Sequence, residues 1–253
     1  MVRCSDTDLV FQIQAGIQQM IRKPWFLFLA VWFPAFFSGC VSPEVKKGAV
    51  ALELGDYTLA ISFFSRVLEN NPAHPEARLG MGKAMLQRAI DNPGDTLSWR
   101  EAVMQFEAAR TITGAHDVGT LLSQVWSERA SEQLRHCDTL AALEALTRAI
   151  ASDPHSPEPL NLAGIIYFRT GKSAKARQLF ERAVAADTAN PSPLFNLGML
   201  CWEEGQVQEA HDLWMKALKR SPQDEDFLYW FAVSEKHLRE NGAGNSVPGK
   251  GGR

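Results

Sequence analysis

The strongest constraint on the fold of this chain is an internal repeat. Residues 157–190 and 191–224, two adjacent segments of equal length, align without a gap. The matched residues keep their size at fixed places: Gly164 with Gly198, Gly171 with Gly205, Ala176 with Ala210, Phe180 with Trp214, and Ala183 with Ala217. A repeat of this length predicts stacked copies of one supersecondary unit, each burying its apolar face against the next.

The sizes of the repeated residues indicate two closely packed helices in each unit, which we call A and B. We number the places of a repeat from its first residue, so that Gly164 takes place 8 and Ala176 takes place 20. Small residues at these places let the two helices approach closely, and a large residue at place 24, such as Phe180, fills the remaining space. Proline near the end of the unit cannot continue helix B, so a new helix A follows.

This pattern resembles the tetratricopeptide repeat. The resemblance implies an all-α fold, a right-handed α-solenoid of helix-turn-helix repeats with a C-terminal capping helix. The register predicts a repeat domain over 40–240, with repeats at 41–74, 75–116, 123–156 (helix A beginning near Asp117), 157–190 and 191–224, a capping helix at 225–240, and a disordered tail at 241–253. A terminal cap is needed because the last apolar face would otherwise meet water.

The second repeat carries an insertion of eight residues within 83–101. Gly82 and Ala102 hold places 8 and 20 here, and they lie eight positions farther apart than Gly164 and Ala176. Pro93-Gly94 marks a turn in this segment, and Ser98 with Glu101 predicts a capping box that begins helix B. The insertion is either a tolerated surface loop or a contact that fits the solenoid to a partner.

The N-terminal segment has the layout of a secretory signal. Arg22 and Lys23 precede an apolar run from Trp25 to Phe37. This run is shorter than the ~20 residues of a spanning helix, so a permanent transmembrane anchor is the weaker interpretation. The layout predicts a signal peptide over residues 1–39.

The apolar run ends in Phe37-Ser38-Gly39-Cys40, which resembles the lipobox of bacterial lipoproteins. The resemblance implies that Cys40 receives a thioether-linked diacylglyceryl group and becomes the mature N-terminus. The acyl chains then anchor the protein, because two or more chains hold a protein stably on a membrane. Val41 is not the aspartate that retains enterobacterial lipoproteins at the inner membrane, so we expect the periplasmic face of the outer membrane. Met20 is the expected start of translation, with residues 1–19 as an upstream extension.

Neither the charge nor the motifs predict an enzyme or a nucleic-acid-binding protein. The net charge is −3, without a basic excess. Gly171-Lys172-Ser173 is similar to the end of a phosphate-binding loop, but Ile166 stands where the first glycine of that loop is required. No pair of histidines has metal-ligand spacing. We expect no catalytic residue, no cofactor and no metal site.

The cysteines give a further expectation. Cys137 and Cys201 lie almost two repeats apart in the register, farther than the ~7 Å that a disulfide allows between Cα atoms. Cys4 and Cys40 are assigned to the leader and to the lipid. We therefore expect no disulfide.

The resemblance also implies where a partner binds. In the tetratricopeptide fold, helix A side chains build the inner wall. Towards the C-terminus this wall is mostly large and apolar, and the candidate residues are Ile165, Phe168, Arg169, Phe195, Met199, Trp202 and Tyr229. We expect a groove for an apolar peptide or an amphipathic helix. The alternative is that these residues pack against the capping helix or the tail of the protein itself.

Taken with the predicted anchor, the repeats resemble the small tetratricopeptide lipoproteins that assemble envelope machines, notably the pilotin-type proteins of type IV and Tad pili. That resemblance implies a scaffold that binds a protein partner, such as a secretin subunit, and assists the assembly or localisation of a pilus or secretion complex. The alternative is an adaptor that recruits peptidoglycan hydrolases or a protease in cell-wall turnover.

Overall fold

The computed structural model describes residues 42–92, 94–114 and 117–244. All regular elements in these ranges are α-helices. In chain order they are α1 (Pro43–Glu53), α2 (Tyr57–Asn70), α3 (Pro75–Asp91), α4 (Thr96–Thr113), α5 (Asp117–Arg135), α6 (Thr139–Ser152), α7 (Pro157–Arg169), α8 (Ser173–Ala186), α9 (Ser192–Glu203), α10 (Val207–Arg220) and α11 (Glu225–Gly244).

The helices follow the predicted order of A and B. Odd-numbered helices from α1 to α9 take the A position and the next even-numbered helices take the B position, while α11 is an A helix without a successor in the described residues. The described residues divide into two compact units, one up to Ala142 and the other from Leu143, and the division falls inside α6. Unit 1 contains α1 to α5, and unit 2 contains most of α6 and all of α7 to α11. The expected all-α class is confirmed.

In four repeats the chain leaves helix A at the same place. Gly55, Gly171 and Gly205 take place 15 and have φ angles of 78°, 72° and 77°. Glycine adopts this left-handed conformation without the steric penalty of a Cβ atom, so the chain can leave helix A and turn towards helix B. Cys137 takes place 15 of the third repeat with a φ of 61°, a conformation that costs a non-glycine residue roughly 1 kcal/mol.

The close approach of helices A and B in unit 2 depends on two glycines. A Cβ atom on Gly164 would lie 2.5 Å from the ring of Phe180, and one on Gly198 would lie 2.5 Å from the ring of Trp214. Both rings are completely buried. Because no real Cβ atom comes so close to another heavy atom, only glycine fits opposite these rings in the present packing.

Unit 1 repeats this contact. Gly48 of α1 and Gly80 of α3 both face the ring of Phe64, with a Cβ position 2.7 Å and 2.3 Å from it. Gly82 faces Phe106 in the same way, at 2.6 Å. The large residue at place 24 therefore packs directly against the backbone of the A helices at these glycines, as the sizes of the repeated residues predicted.

The predicted insertion in the second repeat is helical. Helices α3 and α4 have 17 and 18 residues, whereas the helices of the first, fourth and fifth repeats have 11 to 14. The interpretation of a surface loop is therefore wrong, because the extra residues lengthen both helices. The two elements are joined by the short segment 92–95.

The predicted capping box at Ser98 and Glu101 is also wrong. Helix α4 begins earlier, since the carboxylate of Asp95 accepts a hydrogen bond from the backbone N–H of Ser98 at 3.0 Å. The buried hydroxyl of Ser98 donates to the other Asp95 oxygen at 2.6 Å and accepts from Nε of Arg88 at 2.8 Å. Asp95 takes the N-cap position because this network satisfies it. The Ser98 hydrogen bonds, helped by Arg88, also lower the pKa of Asp95.

Two helix bounds can be compared with the predicted ones, and the predicted terminal segments lie mostly outside the described residues. Helix α5 begins at Asp117, where an early start was predicted, and α11 continues to Gly244, beyond its predicted end at 240. The predicted signal peptide over 1–39, the lipidation site Cys40 and residues 245–253 of the predicted tail lie outside the described residues. Within the described ranges, no helix has both the length and the apolar character needed to span a membrane.

The cysteines bear on one expectation. Cys201 is a free thiol in the core of unit 2, so it is not joined to Cys137, as the distance argument predicted. Cys4 and Cys40 lie outside the described residues, and the wider expectation of no disulfide stays a prediction.

Replacing Gly164 by alanine should destabilise unit 2. The new methyl group meets the buried ring of Phe180, and we expect a net loss of about 1–2 kcal/mol in the free energy of unfolding after the helix propensity of alanine is counted. The smaller side chain in Phe180→Leu should relieve this clash, so the double variant should lose less than the sum of the single losses. Chemical denaturation measures all three variants. Gly94→Ala is the control, because its Cβ position is at least 3.8 Å from other atoms; equal losses at both glycines would contradict the packing argument.

Cys201 should react slowly with thiol reagents. Burial raises the pKa of its thiol, against the opposing effect of Arg177, so little reactive thiolate is present and the reagent cannot reach it. We expect iodoacetamide to label Cys201 on the order of 100-fold more slowly in the folded chain than in the guanidinium-unfolded chain, because labelling waits for local opening. Mass spectrometry of the peptide containing Cys201 gives the rate. Equal rates in both states would show that this core opens freely.

Candidate protein-binding face

The seven predicted groove residues lie on three consecutive A helices of unit 2. Helix α7 carries Ile165, Phe168 and Arg169, α9 carries Phe195, Met199 and Trp202, and α11 carries Tyr229. We call this set the inner face of unit 2. Its five apolar members on α7 and α9 are half-buried and pack on one hydrophobic core. Arg169 is exposed, and Tyr229 is 62% exposed.

Phe195 is held between α10 and α11. Its ring stacks on that of Phe227, with centroids 4.9 Å apart and an angle of 28° between the rings. Its backbone carbonyl accepts a hydrogen bond from the indole N–H of the buried Trp214 at 3.2 Å. The side chain of Phe195 therefore helps to attach the capping helix to the last complete repeat.

Trp202 also makes ring contacts with α10 and α11. Its ring centroid lies 5.8 Å from that of Trp214, 6.1 Å from that of Trp230 and 5.4 Å from that of His237. Both Trp230 and His237 belong to α11. The alternative interpretation, that these residues pack against the capping helix, thus describes Phe195 and Trp202, although both keep part of their surface open to solvent.

A part-buried polar contact between α10 and α11 also holds this helix. The imidazole ring of His211 in α10 stacks on the ring of Phe231 at 4.6 Å. The hydroxyl of Ser234 donates to the backbone carbonyl of Phe231 at 2.7 Å, so its oxygen accepts from Nδ1–H of His211 at 3.0 Å. His211 is half-buried in this contact.

The inner face also contains a polar pair between α7 and α9. The amide of Asn196 donates to the amide oxygen of Asn161 at 2.9 Å. Both side chains are half-buried, and each amide retains further donor and acceptor positions. A peptide lying across α7 and α9 would find these polar positions beside the apolar rings.

Arg177 anchors the back of this face, a role that sequence reasoning missed. Its guanidinium donates to Glu204 at 2.6 Å and to Gln206 at 2.7 Å, both in the turn after α9, and lies 3.5 Å from Sγ of Cys201. The hydrogen bond to Glu204 raises the pKa of Arg177. The side chain fixes α8 to the next hairpin. Little in the sequence signals this network, since its partners belong to the following repeat.

Unit 1 contains the most buried carboxylate of the described residues, that of Glu132 in α5. It accepts hydrogen bonds from Arg135 and from Nε2 of His136, which lies 2.8 Å away. Burial alone would raise the pKa of Glu132, but these two partners outweigh it and lower the pKa. Its charge is thus satisfied by α5 and the residue that follows it, as expected for a structural ion pair. No set of three or more potential metal ligands occurs among the described residues.

A small cavity lies elsewhere in unit 2. Its volume is about 170 Å³, which is below the usual range of about 300–1,000 Å³ for small-molecule sites. It is lined by Leu143, Thr147, Ile150, Ala163, Tyr167 and Leu179. None of these residues belongs to the inner face.

The comparisons with known proteins bear on the repeats. Residues 51–89 and 128–191 match family models of the tetratricopeptide repeat. A comparison with curated proteins gave no match.

Several solved structures resemble the chain at a distance. MamA from Desulfovibrio magneticus RS-1 is 18% identical, with 73% of this chain and 98% of that chain covered and a TM-score of 0.46. YrrB, described as a tetratricopeptide protein with an unusual peptide-binding site, is 16% identical, with 74% and 89% covered and a TM-score of 0.48. TTC0263 from Thermus thermophilus is 23% identical, with 76% and 97% covered and a TM-score of 0.39.

The family matches and the helix pattern agree. Each matched stretch covers A and B helices with the small and large residues at the predicted places. Residues 51–89 and 128–191 are therefore tetratricopeptide repeats, and the chain has the all-α tetratricopeptide fold that its internal repeat predicted.

Proposed function

We propose that this chain is a membrane-anchored scaffold that binds a segment of a protein partner on the inner face of unit 2. The observation that carries the proposal is the row of half-exposed apolar side chains on α7 and α9, which continues to Tyr229 on α11. Packing inside the hairpins is completed by the residues at places 8, 20 and 24. The inner-face residues are therefore available to a ligand over their open surface.

The chemistry of this face favours a particular kind of partner. Phe168 and Met199 supply apolar surface, and the Asn161–Asn196 pair supplies hydrogen-bonding groups for a backbone. Arg169 adds an exposed positive charge at the edge. An apolar peptide or an amphipathic helix with one acidic residue fits this combination.

The proposed anchor is an N-terminal lipid on Cys40. Helix α1 begins at Pro43, and Ser42 caps it by accepting a hydrogen bond from the N–H of Val45 at 3.2 Å. Three residues of chain reach at most roughly 10 Å. An acylated Cys40 would therefore hold unit 1 close to the bilayer, on the periplasmic face of the outer membrane in this proposal.

The proposed role is to assist the assembly or localisation of a pilus or secretion complex. The client we propose is a secretin subunit, bound through a short apolar or amphipathic segment. The support for this role is the combination of tetratricopeptide repeats, an open apolar face and the predicted lipid anchor. It predicts that loss of the chain moves the secretin out of the outer membrane.

Phe168→Gln with Met199→Gln should separate binding from folding. Neither side chain makes a ring contact with α11, so the variant should keep its helical circular dichroism and melt within a few degrees of the parent chain. Two polar substitutions at a binding face should weaken the complex by roughly tenfold or more. The measurement is the amount of secretin subunit in the outer membrane of cells that express each variant.

Met215→Gln is the matched control, because Met215 is a half-buried methionine of α10 outside the inner face. It should leave the secretin in place. The proposal fails if the folded inner-face variant keeps the secretin in the outer membrane as well as the control does. A change in cell-wall hydrolase activity with normal secretin would instead favour the adaptor role.

The lipid anchor has its own test. Mass spectrometry of the protein from membranes should find Cys40 as the N-terminal residue, carrying acyl chains through its sulfur. Cys40→Ser should release the protein from membranes, since no lipid can be attached, whereas Cys201→Ser should leave it there. Recovery of Cys40 inside a longer chain, with a free or disulfide-bonded thiol, contradicts the anchor.

A further inference from the structure

We propose that the cavity between α6, α7 and α8 binds one apolar side chain of a partner polypeptide, together with the carboxylate of an acidic residue near it. Lys172 and Lys175, which lie beside the cavity, hold the carboxylate. The site belongs to unit 2 and shares no residue with the inner face. The inference therefore goes beyond the proposed function and does not depend on it.

The cavity has the size and the lining of a site for one apolar side chain. Its volume is about 170 Å³, and its walls include Leu143, Ile150 and Leu179. The ring of Tyr167 forms another part of the wall. The hydroxyl of Thr147, which also lines the cavity, donates to the backbone carbonyl of Leu143 at 2.8 Å, so its only proton is already used. A cavity of about 150 Å³ with apolar walls accommodates benzene, so the ring of a phenylalanine fits here.

Two lysines lie beside the aromatic wall of this cavity. The ammonium nitrogens of Lys172 and Lys175 are 5.6 Å and 5.4 Å from the centroid of the Tyr167 ring. Both lysine side chains are exposed. Among the described residues, neither ammonium forms an ion pair with a carboxylate. An anionic group at the edge of the ring would therefore meet two positive charges that are free to pair with it.

The boundary between the fourth and fifth repeats shows how a charged group is held at the corresponding position. Arg177 takes place 21 of the fourth repeat, and its guanidinium donates to Glu204 at place 14 and to Gln206 at place 16 of the fifth. Oε1 of Glu209 at place 19 and Sγ of Cys201 at place 11 each lie 3.5 Å from a guanidinium nitrogen. Side chains at places 14, 16 and 19 thus converge on one charged group beside place 11.

The boundary between the third and fourth repeats has the opposite charges at these places. Place 21 is Leu143 and place 11 is Tyr167, and both line the cavity. Places 16 and 19 are Lys172 and Lys175, where the fifth repeat has a glutamine and a glutamate. Because the leucine supplies no charge to pair with these lysines, the complementary group is a carboxylate that comes from elsewhere.

The rest of the chain offers few candidates for this carboxylate. Residues 245–253 contain no acidic and no aromatic residue. The acidic residues that precede residue 42 are Asp6 and Asp8, within the predicted signal peptide. We therefore assign the site to a segment of another protein. In an extended segment, side chains two residues apart lie on the same face, roughly 6.5 Å from each other, so a phenylalanine in the cavity places an acidic residue two positions away beside the lysines.

The test uses short capped peptides and the full-length chain. The acidic peptide is Gly-Phe-Ser-Glu-Gly with fluorine on its phenylalanine ring, and the neutral peptide has glutamine in place of glutamate. Fluorine NMR measures the affinity of each peptide as protein is added. We expect the acidic peptide to bind at least about threefold more tightly, which is the contribution of two exposed ion pairs. Sodium chloride at about 0.5 M should reduce this difference, because salt screens exposed charges.

Substitutions of lysine locate the carboxylate. Lys172→Gln with Lys175→Gln should lower the affinity for the acidic peptide to that for the neutral peptide. Lys216→Gln with Lys219→Gln is the matched control, because it removes two exposed lysines with the same spacing from α10, and it should change neither affinity. Lys172→Glu with Lys175→Glu should reverse the preference, in favour of a peptide that has lysine in place of glutamate.

Thr147→Phe tests the cavity itself. Thr147 is exposed on α6, so a ring at this position can fill the cavity while the helix content, measured by circular dichroism, stays unchanged. Binding of both peptides should fall by at least about tenfold, because the ring of the peptide can no longer enter. Phe168→Gln with Met199→Gln changes the inner face and should leave the binding of both peptides unchanged.

Three results would overturn the inference. The first is no binding of the acidic peptide, or equal affinity of the acidic and neutral peptides for the parent chain. The second is binding that is lost in Phe168→Gln with Met199→Gln but kept in Thr147→Phe, because the peptide would then lie on the inner face. The third is stronger binding after Asp6→Asn with Asp8→Asn in the full-length chain, because the N-terminal segment of the chain itself would then occupy the site.

Discussion

The contact between a place-8 glycine and the large residue at place 24 sets the geometry of the hairpins in the first, second, fourth and fifth repeats. Gly164 and Phe180 illustrate it: the ring occupies the volume that a side chain on helix A would need. The two helices are then fixed at a distance that brings their small residues together. Each such hairpin presents one side of its helix A away from helix B, and the inner face of unit 2 is made of these sides.

The same constraint explains why the inner face is available for binding. Because places 8, 20 and 24 complete the interior of a hairpin, side chains such as Phe168 and Met199 are not needed to fill it and remain half-exposed. Phe195 and Trp202 are exceptions, since their rings also contact α11. A ligand on the inner face would touch rings that hold the capping helix, so binding there and the docking of α11 share part of their contact surface.

Most elements could be predicted because they depend on residues close in sequence. Glycine at place 15, the small residues of each hairpin and the early start of α5 are local signals, and the helices follow them. The error at Ser98 has a physical reason: Asp95 is an equally good cap, and it is held at the helix start by its hydrogen bonds with Ser98 and by Arg88. The network of Arg177 could not be predicted, because its partners come from a different hairpin.

The sequence by itself determined the repeat length, the alternation of helices A and B, and the residue types that allow their close approach, because each of these is encoded by side-chain size and by glycine at fixed spacing. Only the tertiary structure decided that the insertion lengthens two helices, that Phe195 and Trp202 contact α11, and that a cavity opens between α6, α7 and α8. These outcomes depend on which surfaces meet when hairpins stack, and a pattern read along one chain does not contain that information.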